Sequence, residues 1–193
     1  MEMARVAIVC HSYNNFFVLG SSPWGRDRSV GAEGVRRVWE DRRAAQQCGN
    51  SRCPAGKMYD LLKNHFTDLP VLFSEICKSA EVLEGDGKSL GSVRRWTYLM
   101  HDTSDELLEV IEKVVDVDDE NRSLTLSAIG GDVLRTHKRF DVKVIVTPKG
   151  TGSSVKWHII FEKVNEDDPH PDPYLELFNT THERLELHYH KDE

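Results

Sequence analysis

A glycine-rich segment is the first place in the sequence to look for a charged-ligand site. Gly85, Gly87 and Gly91 surround a Lys-Ser pair, and backbone N–H groups in such loops can bind phosphate. The segment lacks the Gly-x-x-x-x-Gly-Lys-Ser/Thr spacing, however, and it leads into a strand of alternating pattern where a phosphate loop leads into a helix. We therefore predict a hairpin whose glycine loop forms a rim of the sheet.

The cysteines and histidines do not form a recognisable metal site. Cys48 and Cys53 are separated by four residues, without the second pair that a zinc site needs. His182, His188 and His190 lie near the C-terminus, where we expect solvated side chains. The sequence therefore predicts no metal and no cofactor.

Catalysis in an enclosed site would need titratable groups that face inward. No Ser/His/Asp or Cys/His set can be assembled, because the strand patterns place the lysines and His158 of the last two strands outside. Tyr98 is the clearest inward proton carrier. The mixed pattern of the strand at 107–117 leaves open whether Glu109 or Glu112 faces inward, so we predict no catalytic residue.

Charge and composition exclude several classes of protein. The 193 residues carry a net charge of −7 with a pI near 5.7, whereas nucleic-acid binders present a basic face. Four cysteines are too few for a disulfide scaffold, no signal sequence is recognisable, and no apolar run has the length of a membrane span. We predict a cytoplasmic protein without nucleic-acid partners.

Hydrophobic periodicity predicts an α+β fold. A short helix is expected at 55–64 and a second one through about residue 76, followed by the hairpin at 81–99. Further strands are predicted at 107–117, 123–129, 139–147 and about 155–161, and the last two alternate apolar and polar residues. A helix from Tyr174 to about His188 follows. One antiparallel sheet around this helix accounts for the pattern.

Residues 1–53 differ from the rest of the chain. They carry a net charge of +3, against −10 for the remainder, and they lack a regular apolar pattern. Val35–Gln47 is expected to be helical and Ala4–Cys10 to form a short strand. We predict a poorly packed N-terminal extension over 1–53 and one folded domain over 54–193.

Seven short segments follow one another in a specific order and spacing. They are Pro54–Asp60, Glu84–Gly87, Gly91–Tyr98, Asp118–Asn121, Val146–Gly150, Val155–Trp157 and Phe161–Glu166. On these segments the chain from Pro54 onward resembles the major latex protein branch of the Bet v I, or START-like, superfamily of plants.

The resemblance implies a helix-grip fold, in which a seven-stranded antiparallel sheet and two short helices enclose a long C-terminal helix. It also implies an apolar cavity for hydrophobic plant metabolites or lipids, and a role in defence or stress response. Members of this family begin with a long strand, and no matching strand precedes Cys53 and Pro54. We therefore expect the first strand to be missing, or replaced by Ala4–Cys10.

Strand alternation, the apolar stripe of the last helix and the resemblance together predict the lining of the cavity, although the same residues would also suit a filled core. The predicted lining is Trp96, Tyr98, Met100, Leu124, Leu126, Ala128, Phe140, Val142, Val144, Trp157, Ile159, Phe161, Tyr174, Leu177, Phe178 and Thr181.

The predicted function is the binding, with sequestration or transport, of a small hydrophobic ligand. One alternative is an enzyme of the condensing or isomerising type that acts on alkaloid-like precursors. Another is a protein that acts only by docking on other proteins.

Overall fold

The computed structural model describes residues 43–100 and 106–189. In these two ranges seven strands form one antiparallel sheet of order β1-β7-β6-β5-β4-β3-β2. The strands are β1 (Arg43–Ser51), β2 (Cys77–Glu84), β3 (Val93–Leu99), β4 (Leu107–Asp118), β5 (Ser123–Gly131), β6 (His137–Lys149) and β7 (Gly152–Lys163). The helices are α1 (Ala55–Asn64), α2 (Leu69–Leu72) and α3 (Asp172–Tyr189), with 3-10 turns at Phe66–Asp68 and Asp132–Arg135. The predicted α+β, helix-grip architecture is confirmed.

The centre of the sheet forms where the alternation of the sequence is cleanest. On β6 and β7 every second residue is a large apolar one, and these residues meet across the two strands. Val142 lies opposite Ile159, and Val144 lies opposite Trp157. All four are buried, so one face of these strands belongs to the core and the other contacts solvent.

The two short helices close one end of the core. The N–H of Met58 donates to the carbonyl of Pro54 at 2.9 Å, which starts α1 directly after the proline. The second predicted helix is shorter than expected, because α2 ends at Leu72 and the chain then turns. Phe73 and Ile76 nevertheless reach the core and are buried there.

Helix α3 packs its apolar stripe against the sheet. Leu185 is fully buried, Leu175 and Thr181 are buried, and Leu177 and Phe178 are half-buried. The predicted helix from Tyr174 to about His188 is thereby confirmed within two residues at its start. None of the helices in the described ranges is long and apolar enough to cross a membrane.

The prediction of a missing first strand is wrong. Strand β1 pairs with β7 along its whole length, from Arg43 opposite Phe161 to Ser51 opposite Ser153. The helix expected through Gln47 is therefore a strand from Arg43 onward, while Ala4–Cys10 lies outside the described residues. Among residues 44–47 of β1 only Ala45 is buried, so pairing with the open edge of β7 determines this strand and its own hydrophobic pattern does not.

His182 is not solvated, which corrects the prediction for the C-terminal histidines. Its side chain is fully buried, and the indole Nε1 of Trp157 donates to its Nδ1 at 3.3 Å. Burial lowers the pKa of His182, so the neutral ring is favoured. His188 is exposed, and His190 lies outside the described residues.

Strand β1 approaches α3 closely at Gly49. A Cβ atom at this position would lie 2.6 Å from Oδ1 of Asn179 and 2.7 Å from Cε1 of His182, which is below normal contact distance. The buried His182 ring, hydrogen-bonded to Trp157, cannot move away without breaking that bond. The absence of a side chain at Gly49 therefore allows the strand and the helix to pack here.

We expect Gly49→Ala to lower the free energy of unfolding by about 1–3 kcal/mol, because the added methyl group overlaps buried side chains. Urea denaturation measures this value. Gly56→Ala is the matched control, since a Cβ there meets no atom within 4 Å. Alanine in a helix should leave stability unchanged or raise it by up to about 1 kcal/mol. Equal effects of the two substitutions would contradict the packing of β1 against α3.

Candidate ligand-binding cavity

A cavity of about 80 Å³ lies between the sheet and α3. Its walls come from the 3-10 turn at Phe66–Asp68, α2, the segment up to the start of β2, the strands β3 to β6 and one face of α3. Most of the lining is aliphatic or aromatic, with a few polar groups from tyrosine, threonine and glutamate side chains. Such a composition is typical of sites for small apolar molecules.

Ten of the sixteen residues predicted from the sequence line this cavity. They are Trp96, Tyr98, Leu126, Ala128, Phe140, Val142, Tyr174, Leu177, Phe178 and Thr181. Five others are buried in the core and do not reach it, namely Leu124, Val144, Trp157, Ile159 and Phe161. Met100 lines a neighbouring groove. That any of these residues contacts a ligand stays a prediction.

The residues of β7 do not line the cavity because α3 covers them. The ring of Phe178 stacks on the indole of Trp157 with centroids 5.1 Å apart and an interplanar angle of 23°. Tyr174 meets Phe140 at 4.9 Å. The space under α3 is thus filled on the side of β7, and the open volume lies toward the strands β3 to β6.

Eight lining residues were not in the predicted set: Phe66, Leu69, Phe73, Ile76, Cys77, Val110, Glu112 and Val133. Five of them lie between Phe66 and the start of β2 at Cys77, in the short helices and the turn that follows them, where strand alternation carries no information. Val133 follows Gly131, whose φ of 93° turns the chain into a 3-10 turn. Glu112 was one of the two acids whose orientation the strand pattern left open.

The polar groups of the cavity include a pair of tyrosines. The hydroxyl oxygens of Tyr98 and Tyr174 lie 3.2 Å apart, so one hydroxyl donates to the other. Burial raises the pKa of both hydroxyls above the ordinary tyrosine value. Both tyrosines are therefore protonated at neutral pH and act as hydrogen-bonding groups.

A buried ion pair forms part of the wall of the cavity through Glu112. Nη2 of Arg94 donates to Oε1 of Glu112 at 2.5 Å, and Nε1 of Trp96 donates to the same oxygen at 2.7 Å. The Arg94 side chain is 1% exposed, and its guanidinium carbon lies 5.5 Å from the ring centroids of both Phe66 and Trp96. The guanidinium thus combines an ion pair with two aromatic contacts.

Sequence reasoning missed Arg94, although a signal was present. Arg94 has the same strand parity as Trp96 and Tyr98, which the alternation placed inside. Its partner is decided by the register, because Arg94 lies directly opposite Glu112 on β4. An arginine at an inward position therefore required an inward acid on the neighbouring strand.

A groove of about 230 Å³ lies next to the cavity. Phe73, Ile76 and Leu177 line both spaces and form the wall between them. On the groove side, Arg184 is 3.0 Å from Glu75 and lies over the Phe73 ring at 5.0 Å. A change in the side-chain conformation of these apolar residues would join the groove to the cavity.

The loop between β2 and β3 is held together by hydrogen bonds to Asp86, an acidic residue of the loop itself. The carboxylate of Asp86 accepts hydrogen bonds from the N–H groups of Lys88 and Ser89 at 2.9 and 2.7 Å, and from the hydroxyls of Ser89 and Ser92 at 2.6 and 2.9 Å. These bonds, above all that from the Ser89 hydroxyl, hold the pKa of Asp86 below its usual range. The N–H groups of Lys88 and Ser89 are therefore already occupied and do not bind a phosphate.

The three glycines of this loop adopt φ values between 75° and 89°, which favour glycine. None of them lines the cavity, so the predicted rim function stays a prediction. Within the described ranges, no group of three or more His, Cys, Asp or Glu side chains could hold a metal ion.

Comparison with known proteins shows to which family this fold belongs. Residues 50–192 match the Pathogenesis-related protein Bet v 1 family. The chain belongs to this family. Over 135 residues, which cover 69% of the chain and 82% of the relative, it is 40% identical to Major latex protein 149 of Papaver somniferum. The resemblance identified in the sequence is confirmed, and proteins of this family generally bind hydrophobic ligands.

Solved structures show the same fold. Ginseng major latex-like protein 151 from Panax ginseng has a TM-score of 0.71 at 22% identity, over 77% of this chain and 97% of that one. Norcoclaurine synthase from Thalictrum flavum, in complex with dopamine and hydroxybenzaldehyde, has a TM-score of 0.60 at 17% identity, over 84% and 95% of the two chains.

We expect Glu112→Gln to lower the free energy of unfolding by about 3 kcal/mol or more, because it leaves the buried charge of Arg94 without its counterion. The matched control is Glu109→Gln on the same strand. Glu109 pairs with the partly exposed Arg95 at 3.4 Å, so its loss should amount to less than about 1 kcal/mol. Urea denaturation of the two variants measures the difference, and losses of equal size would contradict the buried pair.

Proposed function

We propose that this protein binds a small hydrophobic plant metabolite or lipid between the sheet and α3, and thereby sequesters or transports it. The observation that carries the proposal is the apolar cavity, with walls of Trp96, Phe140 and Phe178 and few polar groups. Aromatic walls offer a large contact area at low cost in conformational entropy. The mechanism is enclosure, with no chemical step.

The size of the cavity sets a condition on the ligand. About 80 Å³ is below the roughly 300–1,000 Å³ of typical ligand pockets. A larger ligand therefore requires Phe73, Ile76 and Leu177 to move, which would add the neighbouring groove of about 230 Å³. Burial of about 300 Å² of apolar ligand surface would contribute roughly 7 kcal/mol before the costs of association.

The setting of this function is also part of the proposal. The name of the family, pathogenesis-related protein, supports a role in defence or stress response. A cytoplasmic location is supported by the free thiols of Cys48 and Cys77, which suit a reducing compartment.

A fluorescent probe tests the proposal. We expect the neutral dye N-phenyl-1-naphthylamine to bind the protein saturably and to be displaced by plant lipids or flavonoids. Ala128→Phe fills the cavity and should weaken binding at least about tenfold. Ile129→Phe adds similar bulk at the neighbouring residue, which is 52% exposed, and should change little. Circular dichroism checks that both variants fold. The proposal fails if the wild-type protein shows no saturable binding or if the two variants bind equally.

An enzyme of the condensing or isomerising type is the second candidate. The observation in its favour is that Tyr98, Tyr174 and Glu112 bring proton carriers to the cavity. Norcoclaurine synthase, which shares the fold, holds dopamine and hydroxybenzaldehyde. Against it, both tyrosines remain protonated, and one oxygen of Glu112 already accepts two hydrogen bonds.

We expect no product when the protein is incubated with dopamine and hydroxybenzaldehyde, because both cavity tyrosines remain protonated and the carboxylate of Glu112 is already paired with Arg94. Chromatography of the reaction mixture checks this expectation. Turnover that either Tyr98→Phe or Glu112→Gln abolished would favour the enzyme instead.

A further inference from the structure

The two carboxylate oxygens of Glu112 have different surroundings. Oε1 accepts the hydrogen bonds from Arg94 and Trp96. Among the residues that the structure describes, no partner is found for Oε2, although Glu112 lines the cavity and its side chain is only 13% exposed. A carboxylate oxygen can accept more than one hydrogen bond. Oε2 is thus a strong acceptor on a side chain that lines a mostly apolar cavity.

The charge of this wall is already balanced. Arg94 and Glu112 form a neutral pair. Among the residues that the structure describes, the other titratable groups that line the cavity are Tyr98, Tyr174 and Cys77. Burial keeps all three neutral, and it raises the pKa of the Cys77 thiol to about 12. A ligand that brought an ammonium or a carboxylate into this cavity would add a charge without a counterion, which is costly in apolar surroundings.

We propose that Glu112 Oε2 is the specificity-determining acceptor of the cavity, and that it selects uncharged apolar ligands that carry a hydroxyl group. This inference rests on the proposed function, because it names the class of ligand for the same cavity. The ligand hydroxyl donates to Oε2, and its apolar body contacts the aromatic walls. A ligand without a hydrogen-bond donor leaves Glu112 Oε2 unpaired, and a charged ligand gives the occupied cavity a net charge.

The tyrosine pair does not provide the same selection. One hydroxyl of Tyr98 and Tyr174 donates to the other, which leaves one O–H proton able to donate to a ligand. That proton suits a ligand acceptor such as an ether or a carbonyl oxygen. A methyl ether keeps this interaction and loses its own donor, which makes it the appropriate comparison for an alcohol or a phenol. The tyrosine oxygens can also accept a hydrogen bond from a ligand hydroxyl, but as neutral acceptors they do so more weakly than a carboxylate.

Four naphthalene derivatives of similar shape test the inference by equilibrium dialysis at pH 7. They are 2-naphthol, 2-methoxynaphthalene, 2-naphthoate and naphthalen-2-ylmethylammonium. A hydrogen bond to a charged group favours 2-naphthol over its methyl ether by at least about tenfold. The two ions should bind at least about tenfold more weakly than 2-naphthol, since each brings an unbalanced charge.

Variants assign the preference to Glu112. Glu112→Gln places an amide donor where the free acceptor stood, so the preference for 2-naphthol over the ether should fall to less than about threefold. Glu109→Gln on the same strand should retain the full preference. Thermal denaturation shows whether each variant is folded. If Glu112→Gln is not folded, the test is the ratio of the dissociation constants of the wild-type protein for 2-naphthol and for its methyl ether.

The outcomes separate this inference from the proposed function. If none of the four compounds binds the wild-type protein saturably, both fail. If the ether or either ion binds as tightly as 2-naphthol, the cavity binds apolar ligands but Glu112 does not select them. A folded Glu112→Gln variant that keeps the tenfold preference would likewise overturn the inference.

Discussion

The position of α3 over the sheet is the constraint on which the rest of the structure depends. The buried hydrogen bond from Trp157 to His182 and the stacking of Phe178 on Trp157 hold the helix close to β7. Gly49 lets β1 approach the same helix from the side. Because the helix is held on this side, the space between it and the strands β3 to β6 is not filled. The tight contacts and the cavity are two consequences of the same placement.

The sequence predicted the elements whose own side chains determine them. Strands β6 and β7 alternate because one face is buried, and α1 begins after Pro54, so local patterns suffice there. Strand β1 has no such pattern: Cys48 is exposed, Gly49 is half-buried, and among residues 44–47 only Ala45 is buried. Its conformation follows from the unpaired edge of β7, which the residues of β1 do not encode.

Strand parity identifies the inward face, yet it does not distinguish a residue that fills the core from one that lines a cavity. Trp96 and Trp157 both point inward, but only Trp96 lines the open volume, because Phe178 covers Trp157. The difference depends on where α3 lies, and the sequence of a single strand carries no information about that position. Parity would have placed Arg94 inside as well, and the register with β4 then explains why Glu112 faces it.

A buried ion pair is weak support for a purely structural role, because well-packed apolar residues of the same volume often give equal or greater stability. Arg94 and Glu112 lie beside an apolar cavity, and the other polar groups that line it within the described residues are uncharged. Within the same residues, hydrogen bonds are found to one oxygen of the acid only. Two apolar residues could have closed this wall, but they would have offered a ligand no acceptor. The pair provides a full negative charge for hydrogen bonding while it keeps the wall electrically neutral. A site of this kind can discriminate between ligands of the same shape by their hydroxyl groups, a distinction that apolar contacts alone cannot make.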